Sequence, residues 1–191
     1  MLMPLGLALA GVVTGLAWRL PALGILDARA MQRINRAALP DVIDTALSVL
    51  RLAGTTAFFV CALVLTGIPR PTLAIGLGTA ALAAELITKG LKIIVRRQRP
   101  FSADPGVVVR LAHLPIDPSF PSGDAMRAAF LAGLALTPPQ VPPWGAALCL
   151  VASVLVALGR VRAGAHYPLD VWAGFFLGLG AALACAGLLE P

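Results

Sequence analysis

Charge is scarce in this sequence. Only 13% of its 191 residues are Asp, Glu, Lys or Arg, about half the roughly 25% found in soluble domains. That argues against a soluble enzyme, a disordered tail or a nucleic-acid arm. Cysteine is also sparse. Cys61, Cys149 and Cys185 each lie in an apolar run, with no CxxC or Cys/His spacing, so neither a disulfide framework nor a zinc site is indicated. Acidic side chains number 9 against 15 Lys and Arg, for a net charge of +6. A basic balance suits nucleic acid, anionic lipid or a phosphate-bearing substrate. Nucleic acid drops out, because the basic residues sit in short caps between apolar segments.

Apolar sequence fills the rest: 59% of the residues are hydrophobic and the mean hydropathy is +0.88. A bilayer-spanning helix needs about 20 such residues, so the length allows about six spans in one membrane domain over 1–191. Met1–Trp18 has no charged side chain and reads as a retained first span, since no Lys or Arg precedes it as in a signal peptide. Leu23, Leu26, Ala30 and Ile34 recur at helical spacing with Arg29, Gln32 and Arg36 opposite. They predict a short amphipathic helix in the membrane interface, with Asp27 interrupting its apolar face. Val42–Gly67 is the second span, carrying Asp44 and Arg51, and Pro69-Arg70-Pro71 is a stop. Thr72–Val95 is the third, with Glu85 and Lys89 an i,i+4 pair. A polar loop runs from Arg96 to Pro121. Ala128–Gly159 has no charge, and Pro138-Pro139 with Pro142-Pro143 divide it into two spans. Arg160–Pro168 is a loop and Val171–Leu189 the last span. Strand alternation is absent, which leaves helices. The expected fold is all-α, a polytopic six-transmembrane helical bundle with an interfacial amphipathic helix.

Six spans put loops 1–2, 3–4 and 5–6 on one side, and nearly all polar residues fall there. Three stretches on that face carry chemistry. In the first, Lys92, Arg96 and Arg99 share one helix face if the third helix continues. They suit a phosphate clamp, or snorkelling at a helix end. In the second, Phe120-Pro121-Ser122-Gly123-Asp124, a Ser-Gly step opens a helix and offers a hydroxyl and free N–H groups to an anion. It equally suits an ordinary cap. In the third, His166 and Asp170 stand four apart, so the carboxylate can hold one imidazole nitrogen and turn the other outward as a nucleophile or base. Such a pair also occurs as a structural hydrogen bond.

Taken together, Lys-x6-Arg-Pro, then Pro-Ser-Gly, then Arg-x5-His-x3-Asp form an ordered set. The chain resembles the type 2 phosphatidic acid phosphatase superfamily, the lipid phosphate phosphatases that share their site with vanadium haloperoxidases. The resemblance covers about residues 85–180. It implies an integral-membrane lipid phosphatase that needs no metal or cofactor and acts on a phospholipid or prenyl phosphate or diphosphate. By motif position, Lys92, Arg99 and Arg160 would hold the phosphate oxygens, with the Ser122 hydroxyl and Gly123 N–H. His166 would attack phosphorus and become a phosphohistidine, and Asp170 would orient it. Arg and Lys can supply there the charge stabilisation that phosphoryl transfer needs.

Two positions depart from the pattern. Gly159 replaces a Ser, and Asp124 replaces the His that protonates the leaving oxygen. Aspartate, with an ordinary pKa of about 3.9, is a poor acid at neutral pH. Three outcomes follow: a lipid diphosphate substrate, whose leaving group needs little acid help; another donor, with His113 and Asp117 as candidates; or a member that binds phospholipid and hydrolyses it slowly or not at all. Transfer of the phosphoryl group to a hydroxyl acceptor is a further alternative. The expected location is a bacterial plasma membrane. Positive-inside counting puts the polar face in the cytoplasm, whereas many bacterial members resembling this chain place the site outside.

Overall fold

The computed structural model describes residues 2–67, 71–137 and 141–189. The Pro69-Arg70 stop and the Pro138-Pro139 break expected from the sequence lie outside them. Every regular element described is helical. In chain order these are α1 (Leu2–Gly15), α2 (Pro21–Arg36), α3 (Asp41–Leu50), α4 (Thr56–Gly67), α5 (Pro71–Val95), the single turn α6 (Pro100–Ala103), α7 (Gly123–Ala135), α8 (Pro143–Arg162) and α9 (Pro168–Leu189). Local signals start several of them. Proline stands at the first turn of α2, α6 and α8, where its missing N–H has no partner to lose. The Ser122 hydroxyl caps α7 by accepting the Ala125 N–H.

Among the described residues, four helical segments are long and apolar enough to cross a bilayer, and α3 with α4 makes a fifth if that pair, bent by 54°, is one broken crossing. The expected six are not reached on length alone, because α7 has 13 residues where about 20 are needed. The chain is an all-helical integral membrane protein, and its surface shows why. Leu2, Met3, Leu65, Ile75, Ile94 and Trp144 are each more than two-thirds exposed, as suits a lipid-facing wall. Asp27, Asn35, Lys92, Arg97, Arg99, Arg160, Arg162, His166 and Asp170 are buried. The soluble-protein pattern is inverted.

Helix α9 is the centre of the bundle, packed against α1 and α7. Small residues let those backbones approach closely. A Cβ on Gly174 or Gly178 would collide with the Ser122 or Met126 carbonyl of α7, and one on Gly180 would meet Ala8 of α1 at 2.8 Å. This packing presses the start of α7 against the start of α9, where Ser122 N–H donates to the Asp170 carbonyl at 2.9 Å.

Several sequence expectations change. On α2 the buried stripe is Asp27, Met31 and Asn35, while Leu23 and Leu26 are exposed. Asn35 is in the bundle because its amide bonds the Val108 backbone twice and the Arg162 carbonyl once. Asp44, within the expected second span, pairs with Arg162 and Arg110. Glu85 turns to Arg127 of α7 rather than Lys89. Helix α5 does not continue through Arg99. It stops at Val95, and Arg96 turns into the left-handed region at φ 50°. Arg96 therefore points outward, and the turn carries Arg97 and Arg99 inward.

Candidate active site

Where α5 and α8 end and α7 and α9 begin, a cleft of about 230 Å³ opens, lined by Lys92, Arg99, Asp117, Gly123, Asp124, Arg160 and His166, with Glu85, Thr88, Lys89 and Arg127 alongside. Four separate stretches of sequence thus meet in one cavity. They include Lys92, Arg99, Gly123, Arg160 and His166 from the motif set.

His166 stands in the turn between α8 and α9 and is 2% exposed. Its Nε2 lies 3.1 Å from Arg99 Nη1. A guanidinium only donates, so Nε2 is the nitrogen with the lone pair and the ring proton belongs on Nδ1. Nδ1 faces Asp170 Oδ2 at 3.8 Å, beyond hydrogen-bond reach. Burial pushes the His166 imidazole well below its ordinary value, and the charges of Arg99, Arg160 and Lys92 push the same way. The geometry and the surrounding charges both favour the neutral ring, with an unprotonated nitrogen facing the cleft.

Asp170 is fully buried and doubly held. Its Oδ1 accepts from Arg97 Nη1 at 2.8 Å and its Oδ2 from the Tyr167 N–H at 2.9 Å. Arg97 in turn bonds Asp27 Oδ2 at 2.6 Å, and its guanidinium sits over the rings of Tyr167 and Trp18, 3.9 and 4.5 Å from their centres. Asp27, which looks like a flaw in an apolar face, is the outer end of the relay behind the histidine. Arg97 and Asp27 escaped the sequence reading. Their separation of 70 residues hides the pair, and the one signal was an acid placed where the helical pattern wanted an apolar residue.

The cations are closely engaged. Lys92 Nζ lies 2.8 Å from Asp117 Oδ2, and Arg99 Nη2 lies 2.7 Å from Asp117 Oδ1. Burial raises the Asp117 carboxyl, but Lys92 and Arg99 outweigh that and hold it at about 2. Arg160 Nε is 2.9 Å from Asp124 Oδ2. Even so, neither Nε nor Nη1 of Arg160 has an aligned hydrogen-bond acceptor among the described residues. Buried N–H groups in that state are costly, and a phosphate oxygen would satisfy them.

Asp124 Oδ1 also lies 3.2 Å from Arg127 Nη1, and Arg127 clasps both Glu85 oxygens. All three cleft carboxylates, Glu85, Asp117 and Asp124, therefore have both oxygens engaged by cations. Glu85 and Arg127 escaped the sequence reading too; their signal was ionisable residues in otherwise apolar segments. Gly54, in the short turn between α3 and α4, lets Asp124 sit this close, since a Cβ there would meet the Asp124 carbonyl at 2.7 Å. Two other candidates fall elsewhere. The Ser122 hydroxyl is fully buried in the α7 cap, not on the cleft wall. His113 is exposed on the 104–121 loop and does not line the cleft.

A family model described as the PAP2 superfamily matches residues 73–190. An undecaprenyl-diphosphatase of Sulfolobus acidocaldarius is 39% identical over 89 residues, 46% of this chain and 41% of that one. A decaprenylphosphoryl-5-phosphoribose phosphatase of Mycobacterium tuberculosis is 38% identical over 104 residues, 53% of this chain and 52% of that one. The matches span about half the length of these relatives. Among solved structures, a transmembrane PAP2-type phosphatidylglycerolphosphate phosphatase from Bacillus subtilis superposes with a TM-score of 0.83 at 24% identity, covering 98% of this chain and 96% of that one. That likeness is one of fold.

Proposed function

Because the chain belongs to the PAP2 superfamily, we propose that it is an integral-membrane lipid phosphatase that removes the terminal phosphate of a lipid diphosphate through a phosphohistidine at His166. One observation carries this reading: the lone-pair nitrogen of a buried, neutral imidazole sits among Arg99, Lys92 and Arg160 in a single cleft.

In the first step His166 Nε2 attacks the terminal phosphorus. The N–P bond forms as the bond to the bridging oxygen breaks, and the lipid monophosphate leaves with the electron pair. Lys92, Arg99 and Arg160 neutralise the phosphoryl oxygens, and the Gly123 N–H at the α7 N-terminus adds a donor. The imidazole becomes cationic, and its Nδ1–H closes on Asp170. Such contacts commonly tighten only when substrate is bound. Water then adds to phosphorus, the N–P pair returns to Nε2, and phosphate leaves. In this mechanism the three cations supply the charge stabilisation for which other phosphoryl-transfer enzymes use a metal.

The preference for a diphosphate follows from the carboxylates. With both oxygens of Glu85, Asp117 and Asp124 engaged by cations, none is free to hand a proton to an alkoxide. A departing phosphate needs no such help. The undecaprenyl-diphosphatase similarity points the same way. An apolar groove of about 370 Å³ between α4 and α5, lined by Phe59, Leu63, Ala81 and Leu82, reaches Glu85 at the cleft rim. It offers a place for the hydrocarbon chain.

In the same reading α3 and α4 form one broken crossing, α7 completes a sixth, and α2 lies at the membrane rim. The membrane is a bacterial plasma membrane.

Phosphate release by purified protein tests the reading. A prenyl diphosphate should be hydrolysed at least tenfold faster than phosphatidic acid, and His166→Ala should abolish both. Equal or better monoester activity refutes the diphosphate preference, and unchanged turnover without the imidazole refutes the mechanism.

A further inference from the structure

Lys92 and Arg99, which the reading above assigns to phosphate, are already occupied. Asp117 bridges them, one carboxylate oxygen on the ammonium at 2.8 Å and the other on the guanidinium at 2.7 Å. The same stretch of loop adds two carbonyls: Asp117 O accepts from Arg99 Nε at 2.7 Å, and Pro118 O from Lys92 Nζ at 2.6 Å. Donors that would meet phosphoryl oxygens are spent on two consecutive residues of this chain.

The loop is built to let go. It is pinned at Val108 by Asn35 and at Arg110, whose N–H donates to the Ala163 carbonyl. It is pinned again at Ser119, whose N–H donates to the Arg97 carbonyl at 2.8 Å. Between these points, 111–118 makes no backbone–backbone hydrogen bond among the described residues. Leu114 and Ile116 face outward. The Asp117 side chain is itself half exposed, so it has an open path to water once released from the clamp.

We propose that Asp117 is a tethered stand-in for the substrate phosphate and that its displacement determines which phosphates the site accepts. An incoming group must place more negative charge on Lys92 and Arg99 than the single charge it removes. A terminal phosphate, with a charge near −1.5 to −2 at pH 7, does so. The monoanionic phosphodiester of a bulk membrane phospholipid offers no gain in charge and leaves the release of the loop uncompensated. The site is thereby kept clear of the lipid that surrounds it.

This rests on the lipid-phosphatase reading, so the test reads binding separately from turnover. Inorganic phosphate and dimethyl phosphate, a monoanionic diester, are titrated into the detergent-solubilised full chain by phosphorus NMR, for wild type and Asp117→Asn. The variant should bind inorganic phosphate about tenfold more tightly and gain measurable affinity for the diester. Equal or weaker phosphate binding shows that Asp117 merely positions the two cations, and overturns the proposal. Wild type alone supplies a second measurement. Phosphate should move the Asp117 carboxyl-carbon resonance towards that of a free aspartate as the carboxylate leaves its two cations; an unmoved resonance overturns the proposal too. A chain that shows this movement but releases no phosphate from a lipid diphosphate refutes the enzymatic reading and leaves this one standing.

Discussion

Replacing Arg97 with methionine removes the one cation shared by two buried carboxylates. Arg97 is 7% exposed, Asp27 is 4% and Asp170 is fully buried, so water reaches none of the three freely. Breaking a buried ion pair from one side costs about 3–5 kcal/mol. The alternative for Asp27 is to take up a proton. Burial already pushes its carboxyl above the ordinary value, against the pull of Arg97. Protonating a carboxyl whose unfolded pKa is about 3.9 costs about 1.4 kcal/mol per pH unit, hence about 4 kcal/mol at pH 7 and about 1.5 kcal/mol at pH 5. Arg97→Met should therefore lose about 4 kcal/mol of stability at pH 7. In the variant the folded pKa of Asp27 lies above the unfolded one. The defect is then smallest below the unfolded pKa and grows as pH rises. Denaturant unfolding in detergent at pH 5 and pH 7, followed by tryptophan fluorescence, measures both values. Asp27→Asn in the same chain should recover much of the loss, because one orphaned charge goes with it. A loss under 1 kcal/mol, or one that does not change with pH, would mean that the relay behind His166 is not an ion-pair network.

Two further outcomes follow from the site. Asp124→His supplies the acid that the superfamily pattern has at this position, and general acids contribute typically 10²–10⁴-fold. It should raise the phosphatidic acid to prenyl diphosphate turnover ratio at least tenfold, and an unchanged ratio would refute the account of the leaving group. With only two histidines in the chain, ring-labelled histidine NMR can follow His166 directly, with His113→Gln for assignment. Its midpoint should lie below 6.5 in the empty protein, since burial and three cations oppose the imidazolium. Bound phosphate should raise it. A midpoint at or above 6.5 contradicts the neutral nucleophile. By the same sign, the stability from burying this ring neutral is full above about pH 6.5 and is lost as pH falls below it.

The sequence carried part of this clearly. Lys92, Arg99, Arg160 and His166 are spaced so that helix ends deliver them to one face, and the structure brings them together in one cleft. The helical class follows from apolar runs that tolerate no strand alternation. The shared face assigned to Arg96 was a mistake of continuation: its spacing is helical, but the chain leaves the helix at Val95 and Arg96 turns out. Asp27 was misread for a different reason. An interfacial helix turns one face to lipid; α2 also turns a stripe of Asp27, Met31 and Asn35 into the bundle, and the leucine spacing gave no sign of it. Asp124, Arg127 and Glu85 come from two helices, and only the approach allowed at Gly54 seats the first of them. No local pattern encodes that.

The charge balance of the cleft ties the substrate to the exchange at Asp117. Lys89, Lys92, Arg99, Arg127 and Arg160 face it, against Glu85, Asp117 and Asp124. With His166 neutral, five cations less three carboxylates leave a surplus of two. When Asp117 swings out, the surplus becomes three, close to the roughly three negative charges of a lipid diphosphate whose last proton has a pKa near 6. Charge left unbalanced in a buried cleft is expensive, so the withdrawn state favours the diphosphate and the closed state excludes it. Removing Asp117 should then lift the threshold at its source: Asp117→Asn holds the larger surplus permanently, and it should bind dianionic and more highly charged phosphates more tightly than wild type does.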